Sequence, residues 1–148
     1  HYHNRKQLPA NIEEAYEATY WSNLDEMIRR MDIISVNCPL TNETKGLMSK
    51  KRLQLMMQDS YIINTSRSEI IDEAALLNLL KANKIAGAGL DVFSRIENRN
   101  SELLEAPNTI LIPHMGSATV EGRIEMGEKV IINIKTFIDG HNPPNRII

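Results

Sequence analysis

Three residues, each just past an apolar run, are best placed to do chemistry. They are Arg67 in Asn64-Thr65-Ser66-Arg67, Asp91 in Gly87-Ala88-Gly89-Leu90-Asp91-Val92-Phe93, and His114 in Pro113-His114-Met115-Gly116. A guanidinium at such a place grips a carboxylate through two parallel hydrogen bonds. An imidazole there moves a proton to or from an oxygen near neutral pH. A carboxylate behind two glycines sits where a ligand or a helix can approach the backbone closely. Each has a plainer alternative: Arg67 can pair with Glu69 or Asp72, His114 can be a satisfied structural histidine, and Asp91 can cap a helix or turn. What the three share is the carboxyl end of an apolar run, and open α/β sheets collect functional side chains in the crevice outside those ends.

Weaker candidates surround them. Cys38, before Pro39, has no nearby histidine to activate it and reads as a small buried hydrophobe. His1 and His3 have the spacing to touch a metal but lack a third ligand, so no metal site is expected. The scattered methionines read as core gap-fillers. Asn4-Arg5-Lys6 is either a solvated basic turn or an anion grip.

The elements that must position these residues are legible as alternating strands and helices. Asp32–Asn37, Ser60–Asn64, Ile85–Val92 and Thr109–Ile112 are short apolar runs with β-branched residues, as expected of parallel strands covered on both faces. Asn23–Met31 predicts a short helix with Leu24, Met27, Ile28 and Met31 on one face. Asp72 reads as the N-cap of a helix over Glu73–Asn83 with Leu76, Leu77 and Leu80 facing the core. The last helix, over Thr119–Asp139, places Val120, Ile124, Ile131, Ile134 and Ile138 on one side, and Gly140 supplies a left-handed stop. The alternation implies right-handed crossovers and a parallel sheet.

Composition bounds the rest. The 148 residues suit one domain, and 42% hydrophobic with 24% charged residues is ordinary for a globular protein. A net charge of −2 without a basic stripe argues against nucleic acid or an anionic membrane as partner. A single cysteine cannot form an internal disulfide and fits a reducing compartment, so a cytoplasmic location is the expectation. No G-x-G-x-x-G occurs and residue 1 is His1, so the chain is expected to begin in the middle of a fold.

In order and at matching intervals, further phrases join these motifs: Tyr2-His3-Asn4-Arg5, Asp32 to Thr44, Ile63 to Arg67, Ala88 to Phe93, Pro107-Asn108 and Pro113 to Thr119. Together they resemble the D-isomer-specific 2-hydroxyacid dehydrogenases, and within them the glyoxylate/hydroxypyruvate reductase branch. The resemblance implies an incomplete Rossmann-like parallel sheet with flanking helices, lacking its first βαβ unit and the substrate-side domain. Residues 1–140 would be the carboxyl-terminal part of a nucleotide-binding domain and residues 141–148 a tail. It implies hydride transfer between a nicotinamide and a 2-keto or 2-hydroxy acid. Arg67 would bind the substrate carboxylate or keto oxygen, His114 would be the acid/base, and Asp91 would contact the nicotinamide end. Cofactor contacts would also come from Cys38, Pro39, Thr44, Thr65, Ser66 and Gly116. Asn4, Arg5 and Lys6, after a second strand of this kind, would favour NADP over NAD by holding its 2′-phosphate. A homodimer is implied as well.

Three departures from the family pattern matter. The glycine-rich turn, the main anion site for a pyrophosphate, falls outside the sequence. The family glutamate that partners the histidine aligns with Ile96, leaving Glu97 one position along. Ser68 follows the arginine where glycine is usual, so that loop must accept a Cβ. These departures imply little catalysis by the isolated chain. They also sustain an alternative reading, a non-catalytic dimerisation or interaction remnant of a dehydrogenase scaffold.

Overall fold

The computed structural model describes residues 1–94 and 99–146, which fall into two compact units, His1–Pro113 and His114–Ile148. The first unit is built on four parallel strands in sequence order: β1 (Ile33–Val36), β2 (Tyr61–Asn64), β3 (Gly87–Leu90) and β4 (Thr109–Leu111). Its helices are α1 (Ala10–Ala15), α2 (Leu24–Ile28), α3 (Lys50–Leu53), α4 (Glu73–Lys81) and α5 (Arg99–Leu104), with a single 3-10 turn at Ser68–Ile70. The second unit carries α6 (Val120–Ile138).

The helix starts follow local hydrogen bonding. Asn23 accepts from the backbone N–H of Asp25 and Glu26, Asp72 from Ala75, and Thr119 from Gly122, each satisfying donors that the first turn leaves unpaired. The ends are tighter than the periodicity predicts. α4 stops at Lys81 because Asn83 adopts left-handed backbone (φ +50°), and Gly140 does the same after α6 (φ +80°). α1 and α3 were not legible from apolar spacing: α1 buries nothing and α3 buries only Leu53.

The registers Ile34↔Ile62↔Ala88 and Val36↔Asn64↔Leu90 align one row of side chains toward the helices. Ile34, Val36, Ile62, Ala88 and Leu90 join Leu24, Ile28, Leu53, Leu76, Leu80 and Leu103 in a single buried cluster. Leu77, expected in that core, is only half-buried against it. At Gly87 an added Cβ would lie 2.6 Å from the Asn108 carbonyl oxygen, so only glycine permits β3 to approach this closely.

One expectation fails. The strands are not covered on both faces. The alternate residues Ile33, Tyr61 and Ile110 are exposed by 64%, 48% and 70%. Within the first unit the buried cluster lies on the side of the Ile34, Ile62 and Ala88 row, while on the alternate row Ile63 and Gly89 are half-buried and Ile33, Tyr61 and Ile110 meet water.

This asymmetry predicts unequal costs for similar truncations. Ile62→Ala, on the covered face, should cost about 2–5 kcal/mol of stability. Ile110→Ala, on the open face, should cost less than about 1 kcal/mol. Urea denaturation measures both, and equal losses would contradict the one-sided core.

Candidate active site

The carboxyl ends of β1, β2 and β3 are tied together by Asn64. Its side chain is buried (1% exposed), because a polar residue has replaced an apolar one in the inward row. The Asn64 amide donates to the Arg67 carbonyl (2.9 Å), and its Oδ1 accepts the Ser66 N–H (3.0 Å). Its main-chain oxygen accepts the Asp91 N–H (2.9 Å). One residue thus shapes the Thr65–Arg67 turn and joins it to the end of β3. The Ser66 hydroxyl, donating to the Cys38 carbonyl, adds the end of β1.

Beyond Cys38, a second turn closes on itself. The Thr44 hydroxyl donates to the Pro39 carbonyl (2.6 Å) and accepts the Thr41 N–H (2.8 Å). Thr41 Oγ1 donates to Glu43 Oε2 (2.6 Å). Hydrogen bonds from Thr41 and from the Glu43 backbone hold the Glu43 carboxyl below the usual carboxylate range, and the positive charge of Arg5 adds to the effect. The basic segment is exposed, with the Arg5 N–H donating to Asn4 Oδ1 (2.9 Å) and Tyr20 OH donating to the Asn4 carbonyl (3.0 Å). Asn4, Cys38 and Pro39 line one groove of about 530 Å³. Lys6 is exposed beside them in sequence.

Arg67 is exposed, on extended backbone (φ −144°, ψ 143°), with Nη1 donating to the Ser66 carbonyl at 2.7 Å. Among the described residues it forms no ion pair, so neither Glu69 nor Asp72 captures it. Its charge only assists the Glu69 backbone N–H and the Ser68 hydroxyl in lowering the Glu69 carboxyl. Ser68 takes the first place of the 3-10 turn and is not among the residues with positive φ, so its Cβ is accommodated without strain. Asp91 is buried (3% exposed) at the end of β3. Cys38 is half-buried against the core while also lining the groove, and burial pushes its thiol pKa up.

His114 is exposed and adopts left-handed backbone (φ +57°), an uncommon conformation for a side-chain-bearing residue, and Gly116 follows two residues later. Ile96 and Glu97 lie outside the described residues. Sequence reasoning missed Asn64, Thr41 and Glu43. Asn64 had a readable signal, a polar residue closing an apolar run.

The family described as D-isomer specific 2-hydroxyacid dehydrogenase, NAD binding domain, matches residues 1–116. A glyoxylate reductase from Thermococcus litoralis is 41% identical over 146 residues, covering 99% of this chain and 44% of that protein. Glyoxylate reductase 1 of Saccharomyces cerevisiae is 39% identical, over 93% of this chain and 38% of its own length. A D-isomer specific 2-hydroxyacid dehydrogenase structure from Polaromonas sp. JS6 66 superposes with a TM-score of 0.90 at 33% identity, covering 99% of this chain and 46% of that one. The four-stranded parallel sheet with flanking helices is that of a Rossmann-like NAD-binding domain, present in part. The chain belongs to the D-isomer-specific 2-hydroxyacid dehydrogenase family, and it spans less than half the length of the curated relatives it matches.

Two outcomes are expected from these geometries. Cys38 should react with iodoacetamide at pH 8 several-fold more slowly than a free thiol, because burial raises its pKa. A rate equal to that of free cysteine would contradict the half-buried placement. His114→Val should cost about 1–3 kcal/mol more than His114→Gly, since a β-branched residue resists left-handed backbone. Equal stability of the two variants in thermal unfolding would count against the left-handed geometry.

Proposed function

We propose that the chain is the carboxyl-terminal part of an NAD(P)-dependent oxidoreductase that reduces 2-keto acids such as glyoxylate or hydroxypyruvate to D-2-hydroxy acids. Residues 1–140 belong to its nucleotide-binding domain, with 141–148 as a tail. The observation that carries the reading is the knot at the strand ends, where Asn64 and Ser66 draw Cys38, Arg67 and Asp91 to one lip of the sheet. Relatives named as glyoxylate reductases support the substrate class.

The residues present fit a nicotinamide dinucleotide. The groove lined by Asn4, Asn37, Cys38 and Pro39 reaches the carboxyl end of β1, with apolar walls and a few polar side chains such a ligand needs, and Arg5 beside Asn4 in sequence brings a cation. Asn4, Arg5 and Lys6 hold the 2′-phosphate of NADP in preference to NAD. A solved glyoxylate/hydroxypyruvate reductase from Sinorhizobium meliloti, 35% identical with a TM-score of 0.82, is described in complex with NADP. Bound here, the reduced nicotinamide supplies the hydride.

Arg67 holds the keto acid. Its guanidinium spends one donor on the Ser66 carbonyl and keeps others for a carboxylate or keto oxygen. His114 gives its proton to that oxygen as the alcohol forms, and Asp91 and Gly116 contact the nicotinamide end. In the family a glutamate partners this histidine. Ile96 stands where the family has that glutamate, and Glu97, one position along, is the substitute. The protein pairs as a homodimer through the nucleotide-binding domain and works in the cytoplasm.

The test uses this chain joined behind the part of the Thermococcus litoralis relative that the match leaves out, with oxidation of NADPH by glyoxylate followed at 340 nm. Arg67→Ala should lower kcat/KM at least ~100-fold and His114→Ala about 100- to 10,000-fold. Arg5→Glu should shift preference toward NADH. Ile96→Glu should extend activity to higher pH, because a carboxylate beside an imidazolium raises its pKa and keeps the acid form above neutrality. No oxidation by the joined chain, or an Arg67→Ala variant as active as its parent, would overturn the reading.

A further inference from the structure

The basic segment is tied down at both ends. Asn4, Arg5, Lys6, Gln7 and Leu8 are all exposed and belong to no helix or strand. At the start of this stretch the Tyr20 hydroxyl donates to the Asn4 carbonyl (3.0 Å). At its end the Leu8 N–H donates to the Tyr2 hydroxyl (2.8 Å). Tyr2 is a fixed post for that contact. Its N–H bonds the Thr19 carbonyl and its carbonyl accepts the Trp21 N–H, both at 2.9 Å. Its ring also meets that of Tyr20, with centroids 5.4 Å apart.

Glu13 completes the clasp. Its Oε1 accepts the Tyr2 hydroxyl at 2.5 Å, and Gln7 Nε2 donates to Oε1 at 3.1 Å and to Oε2 at 3.0 Å. Hydrogen bonds to a carboxylate are shorter and stronger than those between neutral groups. A phenol donates and accepts at once, so Tyr2 holds Leu8 and Glu13 together. The helix that carries Glu13, α1, buries none of its residues, so core packing does not account for its place. One side chain of α1 thus closes the loop on which Arg5 and Lys6 stand.

We propose that Glu13, acting through Tyr2 and Gln7, is a positioning residue that sets the preference for a 2′-phosphate by holding the Arg5-Lys6 segment in one shape. The proposal rests on the reading of Asn4, Arg5 and Lys6 as the holders of that phosphate. A cation on a loose loop must be ordered when it meets its anion, and the ordering costs affinity that a loop shaped beforehand keeps. Only NADP carries the 2′-phosphate, so the clasp strengthens one cofactor and leaves the other alone. The charge of Glu13 acts the opposite way, since an anion beside the segment repels a phosphate. Loss of the hydrogen bonds and loss of the charge therefore have opposite signs.

The test uses this chain joined behind the unmatched part of the Thermococcus litoralis relative, with NADPH and NADH binding followed by their fluorescence. Glu13→Gln removes the charge but keeps an oxygen for Tyr2 and Gln7, so its preference for NADPH should equal or exceed the parent's. Glu13→Ala removes both and should lower the ratio of the two affinities at least ~5-fold, through weaker NADPH binding at unchanged NADH binding. Tyr2→Phe leaves every charge in place and should do the same. Faster amide exchange at Leu8 in the 15N-labelled Tyr2→Phe protein should report the opened loop. A parent that binds both cofactors equally would overturn the cofactor reading on which the proposal rests. A preference for NADPH that survives both Glu13→Ala and Tyr2→Phe would overturn the proposal alone. So would Glu13→Gln and Glu13→Ala shifting the ratio together, which would assign the effect to charge.

Discussion

The site depends on the burial of one amide side chain. Asn64 closes the inward row of β2, where the register demands an apolar residue, and it is tolerated there because its side-chain oxygen and nitrogen both find main-chain partners within three residues. A buried amide left unpaired would cost about 1–3 kcal/mol, so the Thr65–Arg67 turn is held in the one shape that satisfies it. That shape extends Arg67 into solvent, frees it from Glu69 and Asp72, and leaves Ser66 to reach the Cys38 carbonyl. The Asn64 carbonyl fixes Asp91 through the sheet ladder. The shape of this lip of the sheet is thus a consequence of hydrogen-bond accounting at the end of a central strand.

The same sheet is open in two respects, one of face and one of edge. Parallel strands are ordinarily buried on both sides, yet Ile33, Tyr61 and Ile110 meet water. The edge of β1 looks onto an apolar trough instead of a neighbouring strand. In the second unit, α6 buries none of its residues, although Val120, Ile124, Ile131 and Ile138 recur at helical spacing.

Much of the fold could be read from residues. Apolar β-branched runs located the four strands, and Asp72 and Thr119 marked helix starts because each side-chain oxygen takes an unpaired N–H of the first turn. Gly140 marked a stop for the complementary reason. The runs overstated strand length, since Ile85 and Val92 continue the core beyond the ladder without belonging to it. Periodicity also identified the apolar side of α6 without revealing that nothing described covers it, because spacing reports a face and not its partner. Of the candidate site, the strand-end positions of Arg67 and Asp91 were legible from type and position. The dependence of Arg67 on Asn64 was not, since it arises from a main-chain hydrogen bond that side-chain pattern does not encode.

The central claim is that this lip of the sheet receives the cofactor, and mapping NADPH onto the 15N-labelled chain by amide chemical shifts tests it most directly. The account predicts shifts concentrated at Arg5, Cys38, Ser66, Arg67 and Asp91, with weaker changes for NADH at Arg5. Shifts confined to α4 and α5, or none at saturating NADPH in the chain joined to its relative's remaining part, would contradict it.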